Sequence, residues 1–378
     1  MVLGIDASRA VRSQKTGVEW YSYFLLRAME ECTPEGWRVR CYVPSLEYTE
    51  DRPPEARRSV LLTSNPNWEW RVLRWIGRGW TQGRLSLEML KSPPDVLFVP
   101  SHVIPFAHPE RTVTTVHDVV FLAHPEFYDP EDLEDQRRGL DFALKFARKI
   151  IVPSKATKDD VVAVGGRAEQ VAVIPHGVEI GDIRDSKLDI GSRSEYPISN
   201  IQSPYILFIG RIEKKKNVMN LIHAFRRLPS DVKLVLAGLR GYGADDIDLA
   251  IKTFKLEDRV VLLGWIDRVQ YLTLLSHATL LVLPSFGEGF GMPVVEAMAK
   301  GVPVVCSDIP VLHEVGENAI QYVNPRDPGD IAQGIEAVLG NEMLQSEMVR
   351  RGKERAQQYS WGKTARATWE VICNTIGP

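Results

Sequence analysis

The stretch "ATLLVLPSFGEGFGMPVVEAMAKGVPVVCSD", Ala278 to Asp308, sets the architecture from which the rest can be read. Its two ends are continuous apolar runs, the pattern of parallel strands covered on both faces. Between them Gly287, Gly289 and Gly291 permit a tight turn, Pro293 has the fixed φ suited to a helix start, and Gly301 stands where a helix C-cap is expected. The unit therefore reads strand, loop, short helix, strand. In such a unit the loop and the helix N-terminus fall at the carboxyl edge of the sheet, where open α/β sheets bind ligands. The amides of residues 289–293 would face an anion there. Glu288 and Glu296 are the wrong partners for that anion. Carboxylates accept paired hydrogen bonds from vicinal hydroxyls, so these two are expected to grip another part of the same ligand. A sugar nucleotide offers diols at both ends and phosphates between.

The same pattern extends in both directions. Apolar runs at "VLGID", "RVRCYV", "SVLLTS", "DVLFVPS", "RTVTTVH", "KIIVPS" and "QVAVIPHG" alternate with helical or loop segments in the first half. The second half repeats the plan with "YILFIG", "KLVLAG", "RVVLLG", the quoted unit and "AIQYV". Each half is a βα series, which predicts an α/β protein with two doubly wound parallel sheets. The aperiodic stretch from Val178 to Pro204, rich in Gly, Ser, Asp and Pro, separates them. The expected boundaries are an N-terminal domain over 1–185, a linker over 186–204, a second domain over 205–360, and a Trp-bearing amphipathic helix over 361–378 that packs back on the first domain.

A chain of 378 residues exceeds one ordinary core, which agrees with two domains. A net charge of −3 gives no reason to expect nucleic acid as a partner. The four cysteines are scattered without a CxxC pair, no apolar run reaches spanning length, and the N-terminus reads as a strand. These features predict a reduced, cytoplasmic protein.

Candidate ligand residues lie at strand C-termini. In "FIGRIEKKKNVMNLIHAF" Arg211 follows the strand and Lys216 stands where the next helix begins. Cations at a helix N-terminus oppose its dipole, a cost that a bound diphosphate would remove. In "TVTTVHDVVF" a strand ends at His117 and Asp118; such a histidine can be a donor, a base or a satisfied polar residue. His102 in "VPSHVIPF" and His176 in "VIPHGVE" hold equally ambiguous places. Gly17 lies between the first strand and its helix, in the position of a phosphate loop. Neither GxGxxG nor GxxxxGK[ST] occurs, which disfavours dinucleotide enzymes and P-loop nucleotidases.

Taken together, "KTGVEWY", "HD", "VPSKATKDDV", "VIPHGV", "GRIEKKKN" and "EGFGMPVVEAMAKGVPVVCSD" resemble the retaining glycosyltransferases of family four, over nearly the whole chain. The resemblance implies the GT-B fold, two Rossmann-like domains facing across a cleft. It implies that Arg211, Lys216 and Gly17 bind the donor diphosphate, Glu296 the ribose, and Glu288 with the amides of Phe290, Gly291 and Met292 the transferred sugar. His117 becomes a catalytic residue beside Glu288, with His102 and Asp118 as acceptor-side candidates. The regions around "HDVVFLAHPEFY" and "RWIGRGW" look most like mannosyltransferases using GDP-mannose in surface polysaccharide or glycolipid assembly. No cofactor and no essential metal are implied.

Three further readings are weighed against this one. A UDP-sugar transferase of the same fold, a sugar-nucleotide epimerase and a non-catalytic sugar-nucleotide-binding protein share the nucleotide site. A metal-dependent transferase of the one-domain type, with Asp246–Asp248 as its metal motif, is one more, but acids near a helix N-terminus have an ordinary explanation in capping and the helix dipole. The segment Trp68–Arg84, "WEWRVLRWIGRGWTQGR", carries four Trp and four Arg with one acid. It predicts either peripheral contact with the inner membrane face carrying a glycolipid acceptor, or Trp residues packed beneath the first sheet.

Overall fold

The computed structural model describes residues 1–44, 65–75, 77, 79–179, 201 and 204–376. The strand expected at Ser59–Ser64, Arg78 and nearly all of the linker 186–204 lie outside the described residues. Thirteen strands are described. The first seven are β1 (Val2–Asp6), β2 (Arg38–Val43), β3 (Trp68–Val72), β4 (Val96–Val99), β5 (Thr112–Thr115), β6 (Lys149–Val152) and β7 (Val171–Val173). The other six are β8 (Tyr205–Ile209), β9 (Lys233–Ala237), β10 (Val260–Gly264), β11 (Leu280–Leu283), β12 (Val304–Ser307) and β13 (Gln321–Val323).

They form two separate parallel sheets, in the orders β3-β2-β1-β4-β5-β6-β7 and β10-β9-β8-β11-β12-β13. β4, β8, β11 and β12 are buried along their whole length, as the apolar runs require when helices cover both faces, and β5 is buried too although three of its four residues are threonine. In each sheet the order reverses beside one strand. β1 has β2 on one side and β4 on the other; β8 has β9 and β11. Such a reversal opens a crevice at the strand C-termini because successive connections leave in opposite directions. The loops after β1 and β4, and those after β8 and β11, occupy these two places.

Seven helices matter for the site: α1 (Gly17–Glu31), α2 (Ser86–Lys91), α3 (Pro130–Phe146), α4 (Val218–Phe225), α5 (Arg268–His277), α6 (Met292–Lys300) and α7 (Trp361–Asn374). The chain divides into one unit of Met1–Leu122, Glu131–Gly177 and Trp361–Pro378, and a second of Ala123–Pro130 and Val178–Ser360. The segment Ala123–Pro130 thus groups with the second unit. Its Phe127 ring stacks on Phe286 at 4.7 Å, and Lys215 lies over the Tyr128 ring. α7 joins the first unit: Trp361 stacks on Phe24, Trp369 donates to the Met29 carbonyl at 3.0 Å, and Thr364 donates to the Pro175 carbonyl at 2.8 Å.

The Trp-rich segment is largely structural. Trp68 is buried at the start of β3 and donates to Thr33, while Trp80 packs on the cluster of Tyr42, Leu85, Leu97 and Val99 and donates to Asp6. Arg71 and Arg84 are paired with the buried Glu88 at 3.3 and 3.2 Å. β3 itself is an edge strand hidden in that segment, since its tryptophans read as a patch and not as an alternating strand.

Beneath the β8 loop the two strand ends run unusually close. A Cβ on Gly238 would lie 1.8 Å from the Gly210 carbonyl oxygen, at a φ of 149° that side chains avoid. Gly17 is the opposite case, with nothing within 4 Å of its Cβ position. Gly238→Ala is expected to cost more than about 1 kcal/mol and to lower the midpoint of thermal unfolding, whereas Gly17→Ala should leave it unchanged or raise it. Equal midpoints for the two variants would contradict this account of the strand ends.

Candidate functional site

The second unit's site is assembled from two loops and two helices. The loop after β8 ends in a short 3-10 turn, Lys214–Lys216, and the loop after β11 runs to the N-terminus of α6. The Phe286 amide donates to the Lys215 carbonyl at 2.9 Å, joining them. Asn217 sits in the left-handed region at φ 58° and opens α4. Its buried side chain donates to the carbonyls of Pro284, at 2.9 Å, and Pro325, at 2.6 Å, pinning the loops after β11 and β13 to the start of α4.

On this frame Lys216 meets Glu288, its Nζ lying 2.7 and 2.8 Å from the two carboxylate oxygens. Ser285 also donates to Glu288 Oε1, at 2.6 Å. The expected diphosphate cation and the expected sugar-binding carboxylate therefore neutralise one another. Arg211 is half-exposed and paired with Glu213 at 3.1 Å. Phe290 is buried against Tyr359, so only its backbone is available to a ligand. Gly291 caps α6 at φ 88°, with Leu312 2.7 Å from where a Cβ would be. Met292 is the first residue of α6, whose first N–H groups have no acceptor within the helix.

Glu296 is buried on α6 and held differently. Arg268 Nη2 lies 2.7 Å from Oε1, and the Tyr271 hydroxyl donates to Oε2. Burial works to discharge Arg268, but Glu296, Tyr271 and Glu179 more than offset it. Burial first, and then the Glu296 charge, push the Tyr271 hydroxyl well above its ordinary range, so it remains a donor. Asp248 is paired with Arg240 at 2.6 Å.

Arg268 and Tyr271 escaped the sequence reading, although a signal was present. Asp267 and Gln270 form a capping box that marks the start of α5. Arg268 is therefore a cation in a helix's first turn, the same anomaly that singled out Lys216. Here the relieving anion is Glu296.

In the first unit, β5 delivers His117 beside the end of β4. Its Nε2 lies 3.1 Å from the Pro100 carbonyl, which can only accept, so Nε2 carries the proton and Nδ1 is left as an acceptor. Tyr21 from α1 meets the His117 ring edge-on at 4.7 Å and lies 4.5 Å from the His176 ring. Asp118 accepts from the Val120 amide at 3.1 Å. His102 stacks on Phe121, and its Nε2 is buried with no hydrogen-bond partner among the described residues. Gly17 opens α1 behind a capping box of Thr16 and Glu19; Glu19 is buried and paired with Arg9 at 2.9 Å and Arg12 at 3.3 Å. Burial pushes the Glu19 carboxyl up, but Thr16 and the two arginines bring it below its ordinary value.

Burial holds all three histidines below the ordinary imidazole range, His102 down to about 4. They fold neutral, and unfolding lets them take up protons. Their stabilising contribution is complete above the unfolded value near 6.5 and is lost as pH falls toward the folded values. Denaturant unfolding between pH 7 and pH 4 should show stability falling with pH, by at most about 1.4 kcal/mol per pH unit for each histidine. A profile flat down to pH 5 would contradict the neutral cluster.

Comparison with known proteins follows the same division. Residues 15–181 match the family model "Glycosyltransferase Family 4", and residues 195–355 match "Glycosyl transferases group 1". The chain is 29% identical over 258 residues to O-antigen chain mannosyltransferase B of Escherichia coli, covering 67% of each protein. It is 29% identical over 230 residues to O-antigen chain mannosyltransferase RfbU of Salmonella typhimurium, covering 60% of each. The chain thus spans three fifths to two thirds of the lengths of these relatives. Among solved structures, sucrose-phosphate synthase from Thermosynechococcus elongatus superposes with a TM-score of 0.75 at 19% identity, over 99% of this chain and 98% of that one.

Proposed function

For a chain that is a glycosyltransferase of the GT-B fold, we propose that it transfers mannose from GDP-mannose to a saccharide or lipid-linked saccharide, with retention of the α configuration and without an essential metal. The observation that carries a nucleotide-sugar donor is the contact between Lys216 and Glu288 at the ends of β8 and β11. An incoming diphosphate competes for Lys216 and releases Glu288 toward hydroxyls, so one ligand with both groups answers both charges. Arg211, Lys216 and the N-terminus of α6 then carry the charge that develops on the leaving diphosphate, the role a divalent cation plays elsewhere. Glu296 takes the ribose hydroxyls and Glu288 those of the transferred sugar. A mannosyl donor is supported by the names of the relatives.

In the reaction the C1–O bond to the diphosphate breaks while the acceptor oxygen bonds to C1 on the same face. The acceptor proton passes to the departing phosphate oxygen. Both glutamates are engaged with hydroxyls, so neither serves as a nucleophile; they position the sugar. His117 is neutral with Nδ1 as an acceptor, suited to orienting a hydroxyl, and His117→Ala should lower turnover.

A thermal-shift panel tests the donor, because a ligand of the folded state raises stability by mass action. GDP and GDP-mannose should raise the unfolding temperature and UDP and UDP-glucose should not; the reverse result would replace the donor with a UDP-sugar. Lys216→Ala should weaken GDP binding by about 1.5–3 kcal/mol. Activity should survive excess EDTA, and NMR of the product should show an α linkage. A β product, or activity lost to EDTA and restored by magnesium or manganese, would overturn the mechanism.

No described helix is long and apolar enough to cross a membrane. Peripheral contact at the inner membrane face is part of the proposal, but the pairing of Arg71 and Arg84 moves it away from most of Trp68–Arg84. Leu90 on α2 is 72% exposed and Phe106 is 66% exposed. Gln82 and Ser86 hold the Ile104–Ala107 loop through hydrogen bonds, which puts Phe106 alongside α2. Phe106 leads on to Phe142 and Phe146, with Lys145 over the latter ring. Apolar tips beside a lysine suit an anionic lipid surface. Cosedimentation with anionic vesicles should drop several-fold in a Leu90→Asn, Phe106→Ser variant; undiminished binding would rule this surface out.

A further inference from the structure

We infer that Arg268 and Tyr271 are positioning residues for donor selection: together they orient Glu296 so that each of its oxygens keeps one lone pair for a vicinal diol, which makes the site selective for ribose over deoxyribose. The inference rests on the reading of Glu296 as the ribose carboxylate.

A carboxylate offers about four acceptor positions, two on each oxygen. Arg268 takes one on Oε1 and Tyr271 takes one on Oε2. The partners are divided evenly between the oxygens. What remains is one acceptor position on each, the pattern that two adjacent hydroxyls fill. Had both donors met one oxygen, the remaining pair would suit a different ligand geometry.

The donors also share a scaffold. Arg268 and Tyr271 are three positions apart on α5, hence on one helical face, and the Arg268 guanidinium lies over the Tyr271 ring at 4.7 Å. A glutamate on a helix otherwise samples several rotamers, and fixing one costs side-chain entropy. Here that cost is met when the protein folds, so the ligand does not bear it on binding.

A purely structural ion pair is the competing account. Buried pairs are often matched or bettered in stability by apolar residues of similar volume, so stability alone gives a weak reason for an Arg–Tyr pair on α5 set against a glutamate on α6, the helix that opens at the ligand loop. The two accounts differ in one measurable ratio. A structural pair supports binding of every nucleotide alike, whereas a positioning pair supports only the part of affinity that comes from the hydroxyls.

The experiment measures dissociation constants by calorimetry for GDP and 2′-deoxy-GDP, or for the UDP pair if UDP is the form that binds. Wild type, Tyr271→Phe, Arg268→Lys and Glu296→Ala are compared. Wild type should prefer the ribonucleotide by roughly tenfold or more, the worth of one hydrogen bond to a charged group. Glu296→Ala should bring the ratio near one. Tyr271→Phe, which removes only the hydroxyl, and Arg268→Lys, which keeps the charge but loses the planar fork, should each cut the ratio at least threefold while binding of the deoxy form changes little. Being a ratio within one variant, the readout is insensitive to a general loss of folded protein. If wild type and Glu296→Ala discriminate equally, the ribose reading of Glu296 fails and the inference falls with it. If Glu296→Ala loses discrimination but both α5 variants keep it, Glu296 binds ribose and the inference alone is wrong.

Discussion

Glu296 and Arg268 are each almost wholly buried and lie 2.7 Å apart. Neither could be so placed alone, because an unpaired charge in the interior costs several kcal/mol. Their contact therefore fixes α5 against α6. α5 follows β10, at the edge of the second sheet, and α6 follows β11, near its centre. The pair thus ties the rim of the sheet to the helix whose N-terminus faces the ligand crevice. Arg268 also reaches Glu179 at 3.5 Å, next to Val178, which pairs with Ser360 where the chain passes between units.

The other carboxylate is held on different terms. Glu288 is met by Lys216 and Ser285, both from loops, with no helix-to-helix clamp. A loop-borne lysine with three rotatable donors can exchange one anion for another at low cost, whereas a guanidinium and a phenol fixed on one helix cannot. The carboxyl edge of the second sheet thus sets a carboxylate clamped between two helices beside one held by a single lysine and a serine.

Much of this was legible in the sequence, since parallel strands buried on both faces leave unbroken apolar runs. All six strands of the second sheet, and the helix between Gly291 and Gly301, follow from local pattern. β3 does not, because Trp, Glu and Arg at an edge do not look like a buried strand. The sequence placed Glu288 and Glu296 on either side of one helix start, but did not show what holds each one. Lys216 and Glu288 are 72 positions apart, and Tyr271 and Glu296 are 25, so these contacts are products of tertiary structure that no local window contains. The surroundings of the three histidines were equally invisible, because the Tyr21 and Phe121 rings that meet them come from other segments of the chain.

The membership of α7 bears on how the chain is made. Trp369 bonds to the Met29 carbonyl, 340 positions earlier, and Trp361 stacks on Phe24. During synthesis all of Val178–Ser360 leaves the ribosome before α7 does, so the first unit begins first and is completed last. Until then the face of α1 around Phe24 and Met29, buried in the finished protein, stays open to water or to a chaperone. The second unit has no such delay, because Ala123–Pro130 has already emerged when Phe286 arrives to stack on Phe127.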